Sequence, residues 1–199
     1  GFPSINFPIT ILTYNVSLQQ TGSVIITSEK ELFTYMTNIS STELFSVNYP
    51  ITVTMIGGTE STVNSDAELQ SNINASLATQ TTITQAEQNS KKVETILVNG
   101  MFQVQSFVTA GVDSANNYKD TTVDFANDWT MKAGTALVTK ATGTYTVSSE
   151  ADVFLKLNFT GFTSFNLLNN TWKVVSYSTS SITLQSKTNA AVTLVLGQI

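Results

Sequence analysis

Apolar residues alternate with polar ones along much of this chain, and the period of the pattern changes from one stretch to the next. Ile5, Phe7, Ile9 and Ile11 alternate with polar or proline positions, which predicts a half-buried strand. Val47, Tyr49, Ile51, Val53 and Met55 do the same. After each run the period lengthens. Leu32, Tyr35, Met36 and Ile39 form one stripe at helical spacing, and Leu69, Ile73 and Leu77 form another. Ser28-x-x-Glu31 and Ser65-x-x-Glu68 mark the two helix starts as capping boxes, where hydroxyl and carboxylate each satisfy a free N–H. Gly57-Gly58 supplies a tight turn into Ser61–Asn64. Pro8 and Pro50 have no N–H to donate, so each belongs at an edge or with that side toward solvent.

These runs are two copies of one pattern. Ile5-Asn6-Phe7-Pro8-Ile9-Thr10-Ile11 returns as Val47-Asn48-Tyr49-Pro50-Ile51-Thr52-Val53, and Ser28-Glu29-Lys30-Glu31-Leu32 returns as Ser65-Asp66-Ala67-Glu68-Leu69. The connection between the blocks is five residues shorter in the second copy. Two blocks repeated in the same order indicate duplicated structure, and each copy reads as strand, strand, helix.

Residues 76–92 lose the alternation and hold almost no large apolar side chain. A domain boundary falls here on this reading, with a polar helical extension as the alternative. From Val93 the pattern is all β. Eight candidate strands follow: Met101–Val108, Val123–Lys132, Thr135–Lys140, Gly143–Ser148, Val153–Thr160, Thr171–Ser178, Ile182–Ser186 and Ala191–Leu196. Val123, Phe125, Trp129 and Met131 share one face of the second strand, with Asp124, Asp128, Thr130 and Lys132 opposite. The expected fold is therefore an α+β domain of duplicated β-β-α units over residues 1–78 and a linker at 79–92. An all-β domain follows at 93–199, an eight-stranded antiparallel barrel or sandwich.

Composition narrows the chemistry. The chain has 199 residues, of which 71 are Thr, Ser or Asn. All nine cationic side chains are lysines, and His and Cys are absent. Nucleophile–base pairs built on His, thiolate or imidazole zinc sites, and haem or iron–sulfur ligation by His or Cys are excluded. A net charge of −5 argues against a nucleic-acid partner and against docking on anionic lipid. No apolar run is long enough to span a membrane as a helix. The sequence begins at Gly1 rather than Met, as a processed precursor or a cleaved tag would, and an export signal would then lie upstream. Strand-forming residues and a surface of small polar side chains lean toward an exported protein. The five Asn-x-Ser/Thr sequons, at Asn15, Asn38, Asn74, Asn158 and Asn169, match the roughly four or five that chance supplies at this composition.

Leu97-Val98-Asn99-Gly100-Met101-Phe102-Gln103-Val104, Gly143-Thr144-Tyr145-Thr146-Val147, the run Leu168–Tyr177 and Ile182-Thr183-Leu184 resemble the lipocalin-like domains of secreted lipoproteins from Bacteroidetes. The resemblance covers about residues 95–199, and the duplicated blocks resemble the N-terminal portions of the same proteins. It implies export, lipidation on a Cys upstream of this fragment, and a barrel-like C-terminal domain. It brings no functional residues with it. Met101-Phe102 departs from the family, where a Trp is usual, and Trp172 is the better match.

Several constellations offer candidate chemistry. Asp113, Asp120, Asp124 and Asp128, with Asn116 and Asn117, gather oxygen ligands, but Tyr118 and Asp124 stand where an EF-hand loop wants Gly and Glu. Asp124/Asp128, Glu29/Glu31 and Glu150/Asp152 are the local carboxylate pairs open to glycoside hydrolysis. Ser186-Lys187 and Ser90-Lys91 are sequence neighbours in expected loops rather than packed pairs. Gly57-Gly58 lies in no phosphate-binding string. Trp129, Trp172, Phe154, Phe159, Phe162 and Phe165 supply a core, a cavity wall or a sugar platform. The expected role is a non-catalytic exported module with a surface or extracellular partner, using no metal and no cofactor. The alternative is a carrier of a small apolar ligand inside the β domain.

Overall fold

The structure is a computed structural model that describes residues 3–199. Its first part consists of β1 (Ser4–Ile5), β2 (Ile9–Tyr14), β3 (Gln20–Ile26), α1 (Glu29–Asn38), β4 (Leu44–Val47), β5 (Ile51–Thr54) and β6 (Glu60–Val63). The 33-residue helix α2 (Asp66–Val98) follows. The alternating run Ile5–Ile11 is two strands rather than one. Pro8 breaks it, because a residue without an N–H cannot extend the ladder. Pro50 divides β4 from β5 in the same way, and both Xaa–Pro bonds are cis. Each copy is thus strand, strand, strand, helix, where the alternation alone predicts β-β-α.

The extra strands are exchanged. β1 pairs with β5 of the second copy (Ile5↔Val53), and β4 pairs with β2 of the first (Ile11↔Val47). The sheets β3-β2-β4 and β1-β5-β6 are each completed by the other copy. Two repeat-related bonds accompany the exchange: Asn6 N–H donates to the Thr52 carbonyl at 2.9 Å, and Asn48 N–H to the Thr10 carbonyl at 2.8 Å. One core serves both copies, and its buried members fall into repeat-related pairs: Ile9 with Ile51, Ile11 with Val53, Ile26 with Val63.

Both helix starts carry the expected caps, with one change. Ser28 Oγ accepts from Glu31 N–H and Ser65 Oγ from Glu68 N–H, each at 3.2 Å. The carboxylates return one residue earlier than a capping box prescribes. Glu31 accepts from the N–H and hydroxyl of Thr27, and Glu68 from the N–H of Asn64, each at 2.7 Å. The stripes also turn slightly. Leu32, Tyr35 and Ile39 are half-buried while Met36 is 51% exposed. Leu77 is 44% exposed, and the buried position is Ser76, whose hydroxyl lies 3.7 Å from the Met55 sulfur.

Residues 79–92 are helical throughout, so the polar helical extension, not an open linker, is what forms there. The segment lacks Gly and Pro, the residues that interrupt a helix, and its second half, Gln85–Lys92, is mostly Gln, Ala, Glu and Lys, good helix formers. Contacts divide the chain inside this helix: one compact unit ends at Thr81 and the other runs from Thr82 to Ile199.

The second unit contains β7 (Met101–Thr109), β8 (Val112–Asp113), a 3-10 turn (Ala115–Tyr118), β9 (Thr122–Phe125), β10 (Thr130–Gly134), β11 (Thr139–Ser149) and β12 (Val153–Gly161). After these come α3 (Thr163–Asn166), β13 (Asn170–Tyr177), β14 (Ser181–Ser186) and β15 (Thr193–Gln198). Strands β7 and β9 to β15 form an antiparallel ring that β15 closes on β7. It is an eight-stranded barrel, which decides between barrel and sandwich. The expected number of strands is right, but two boundaries differ. Val123–Lys132 is the hairpin β9–β10, bent at Ala126–Trp129, because Asn127-Asp128 favours a turn. Thr139 and Lys140, the end of the expected strand Thr135–Lys140, join Gly143–Ser148 in one strand, β11, and residues 135–138 form the connection before it. Gly143 permits this: a Cβ there would collide with the Asn158 carbonyl of the neighbouring strand.

Candidate functional site

The barrel interior is the first place to look for a ligand, and its own side chains occupy it. Leu155, Leu157 and Phe159 of β12, Trp172 of β13, and Leu194 and Leu196 of β15 are all buried, as their alternation predicts. Trp172 is 0% exposed, and its indole N–H donates to the Leu168 carbonyl at 3.0 Å. Edge-on aromatic contacts run through the core: Phe102–Phe125 at 5.9 Å between centroids, Phe125–Tyr145 at 5.0 Å, Phe107–Trp172 at 6.4 Å, Tyr118–Phe165 at 5.5 Å.

Both ends of the ring are covered from within the second unit. At one end, Tyr118 of the 3-10 turn and Phe165 of α3 close over the core, and the Tyr118 hydroxyl donates to the Ser164 carbonyl at 2.7 Å. At the other, Ala86, Val93 and Leu97 of α2 enter the same core cluster, and the Tyr177 hydroxyl donates to Asn89 at 2.9 Å. With Ser90 these residues make a buried stripe at helical spacing. Small side chains hid that stripe among polar ones. Burial pushes the Tyr118 and Tyr145 hydroxyls up, and Glu94 and Asp128 add to the effect at Tyr145, so both remain donors.

The expected aromatic cluster is divided. Trp172, Phe159 and Phe165 lie in the core. Phe154 lies outside the core cluster yet is buried beneath the Lys187 ammonium, which sits 4.2 Å from the ring centroid, and the exposed Phe162 has Lys140 at 5.5 Å. Trp129 sits in the β9–β10 turn rather than on the inner face with Phe125 and Met131.

The carboxylates are dispersed and engaged locally. Asp113 accepts from the N–H groups of Phe107 (3.0 Å) and Ala115 (2.9 Å) and from the Ser106 hydroxyl (2.7 Å), which hold its carboxyl below the usual range. Asp128 accepts from the Thr130 hydroxyl and N–H, with the same result. Asp120 is exposed, and Asp124 on β9 lies opposite Lys132 of β10. Glu31 is taken up by Thr27. Asp152 pairs with Lys173 at 2.8 Å and Glu150 with Lys187 at 3.8 Å. Among the described residues no three carboxylates come close enough to hold a metal ion. Ser90 is buried and donates to the Glu87 carbonyl, and Lys187 points to Glu150 and Phe154 rather than to Ser186. Gly57 and Gly58, at φ 97° and 86°, make the β5–β6 turn.

In the first unit, a hollow of about 200 Å³ opens between α1 and the start of α2. Ile5, Phe7, Leu32, Val53, Leu69 and Ile73 line it, with Ser4, Glu29 and Asn72 as its polar members. A shallower polar groove runs along the repeat-related Asn6/Asn48, Pro8/Pro50 and Thr10/Thr52. The first copy has Phe7 where the second has Tyr49, whose hydroxyl donates to Asp66 at 2.6 Å. Burial and that bond push the Tyr49 hydroxyl far up.

No protein-family model and no curated protein matches the chain. One solved structure is similar over 53% of this chain and 96% of its own length: a DUF4847 family protein from Bacteroides vulgatus ATCC 8482, at 18% identity and a TM-score of 0.41.

Proposed function

We propose that this chain is a non-catalytic exported module that binds or scaffolds through its outer surface. The observation that carries this reading is the filled barrel. A carrier needs an open mouth and an inner wall with small residues and a few orienting polar groups. Here the inward rows are large, and Tyr118, Phe165 and α2 side chains stand across the ends. Local engagement of the carboxylates supports a role without acid–base catalysis. Export and a lipid anchor on an upstream Cys rest on the composition and on the resemblance to secreted lipoproteins. The barrel supports the lipocalin-like reading of residues 93–199 in strand number and closure.

The test is a titration of the full chain with a fluorescent fatty acid, beside native mass spectrometry of protein from its natural host. The expected result is no saturable binding and no co-purifying apolar molecule. Micromolar binding abolished by a bulky interior substitution such as Ala141→Phe would overturn the reading in favour of a carrier. The hollow beside Leu32 and Ile73 favours a second reading, a small apolar ligand held by the first unit. Binding lost on Ile73→Trp instead would identify it.

A further inference from the structure

The β9–β10 hairpin turns through Ala126, Asn127, Asp128 and Trp129. A type I turn followed by one left-handed residue is a common hairpin connection, and glycine fits the left-handed position at least cost. Here that position holds Trp129, at φ 66°. A bulky residue in this region is an outlier that persists only where its surroundings hold it, and such residues gather at functional sites.

The surroundings do hold it. Trp129 N–H donates to the Ala126 carbonyl at 3.2 Å, and the Trp129 carbonyl accepts from Tyr145 N–H at 3.0 Å. The Tyr145 hydroxyl donates to the Ala126 carbonyl at 2.8 Å. Asp128 ties the far side of the turn to Thr130. The indole rests against the Tyr145 ring, 5.4 Å between centroids, and Trp129 is 42% exposed. Tyr145 beneath it is already buried in the core, so the turn presents a fixed aromatic plate to solvent.

We infer that Trp129 is a stacking platform for a pyranose ring of a neutral carbohydrate, with the Asn127 amide and the Asp128 carboxylate meeting the ring hydroxyls. This rests on the reading that the chain works through its outer surface. The chemistry selects the class. An indole takes the C–H face of a sugar ring as it takes other weakly polar C–H groups. A carboxylate and an amide on the same turn accept from and donate to hydroxyls. The Asp128 carboxylate disfavours phosphate and sugar acids, and the cation that acts on it, Lys132, is a point charge rather than the bidentate fork of an arginine. An acyl chain would need an enclosing wall, which a projecting turn lacks.

The test is a titration of the full chain with cellohexaose, xylohexaose and mannohexaose, followed by tryptophan emission and calorimetry. Trp172 is buried and emits to the blue, so a change in the red part of the spectrum reports Trp129. At least one hexasaccharide is expected to bind saturably. Trp129→Gly and Trp129→Asn suit the left-handed backbone, so both are expected to keep the thermal midpoint and to weaken binding at least about tenfold. Binding undiminished in those variants, or no calorimetric or emission response to any of the three at millimolar concentration, would overturn the inference and leave the outer-surface reading standing. Saturable fatty-acid binding inside the barrel overturns that reading itself, whatever the sugars do.

Discussion

The two units handle the edges of their sheets in opposite ways. In the barrel every strand of the ring has a partner on both sides, because β15 closes on β7. In the first unit the sheets stay open, and β3 is an edge with six of its seven residues exposed. The cores differ accordingly. The barrel buries Trp172, Tyr145, Phe102 and Phe125 almost completely, whereas among the described residues of the first unit the buried apolar side chains are Ile and Val, with Phe7, Tyr35 and Tyr49 at half depth. Closure encloses a volume that large aromatics can fill. Exchange encloses little, but it makes each copy depend on the other, since the third strand of each sheet comes from the other copy.

The largest effect expected concerns where the barrel begins. A fragment of residues 93–199 lacks Ala86, Ser90 and the Asn89–Tyr177 bond, while one of residues 82–199 keeps them. The longer fragment is expected to unfold cooperatively on heating and the shorter one to lose its near-ultraviolet circular dichroism. Equal behaviour would return the boundary to the end of the helix. Next come core truncations. Trp172→Ala in the barrel is expected to cost about 3–5 kcal/mol and Ile11→Ala in the first unit about 2–5 kcal/mol by denaturant melts. If exchange makes the copies interdependent, Val53→Ala should lower the same transition as Ile11→Ala, and two separate transitions would break that picture.

The caps sharpen the comparison between copies. Ser28→Ala and Ser65→Ala remove bonds of the same length, so each is expected to destabilise by about 0.5–2 kcal/mol and by similar amounts. A cost at only one serine would show that the copies carry their helices differently. The smallest effect is on pH. Three hydrogen bonds lower the folded-state pKa of Asp113, so its contribution is present above the ordinary aspartate range of about 3.9 and lost as pH falls through the folded value. Asp113→Asn is expected to flatten the acid limb of the stability curve and leave neutral-pH folding intact. An unchanged acid limb would assign that limb to other carboxylates.

Much of this molecule is legible in its residues. The repeat, both serine caps, the inward rows of β12 and β15 and the eight-strand number all follow from spacing, because each is carried by short patterns of adjacent residues. Local pattern falls short where a small side chain does a large one's work. Ala86 and Ser90 look like surface, and only the packing of α2 on the barrel buries them. It falls short again at Trp129, which fits the alternation of an inner face yet occupies a turn, since Asn127-Asp128 outweighs the period.

By itself the sequence determined the duplication, the class of each half and the absence of histidine, cysteine and arginine chemistry, all of which are written in composition or short-range order. Only the tertiary structure decided that β1 and β4 change places between the copies, that the ring closes, and that its ends are covered. Those outcomes join residues far apart in the chain, such as Ile5 with Val53, Phe102 with Gln198 and Tyr118 with Ser164. Strand pairing uses the same backbone groups whatever the partner, so a strand's own residues do not name the strand it will meet. The choice belongs to the shared core, against which a leading strand packs the half-buried Ile5 or Val47 by lying against the other copy.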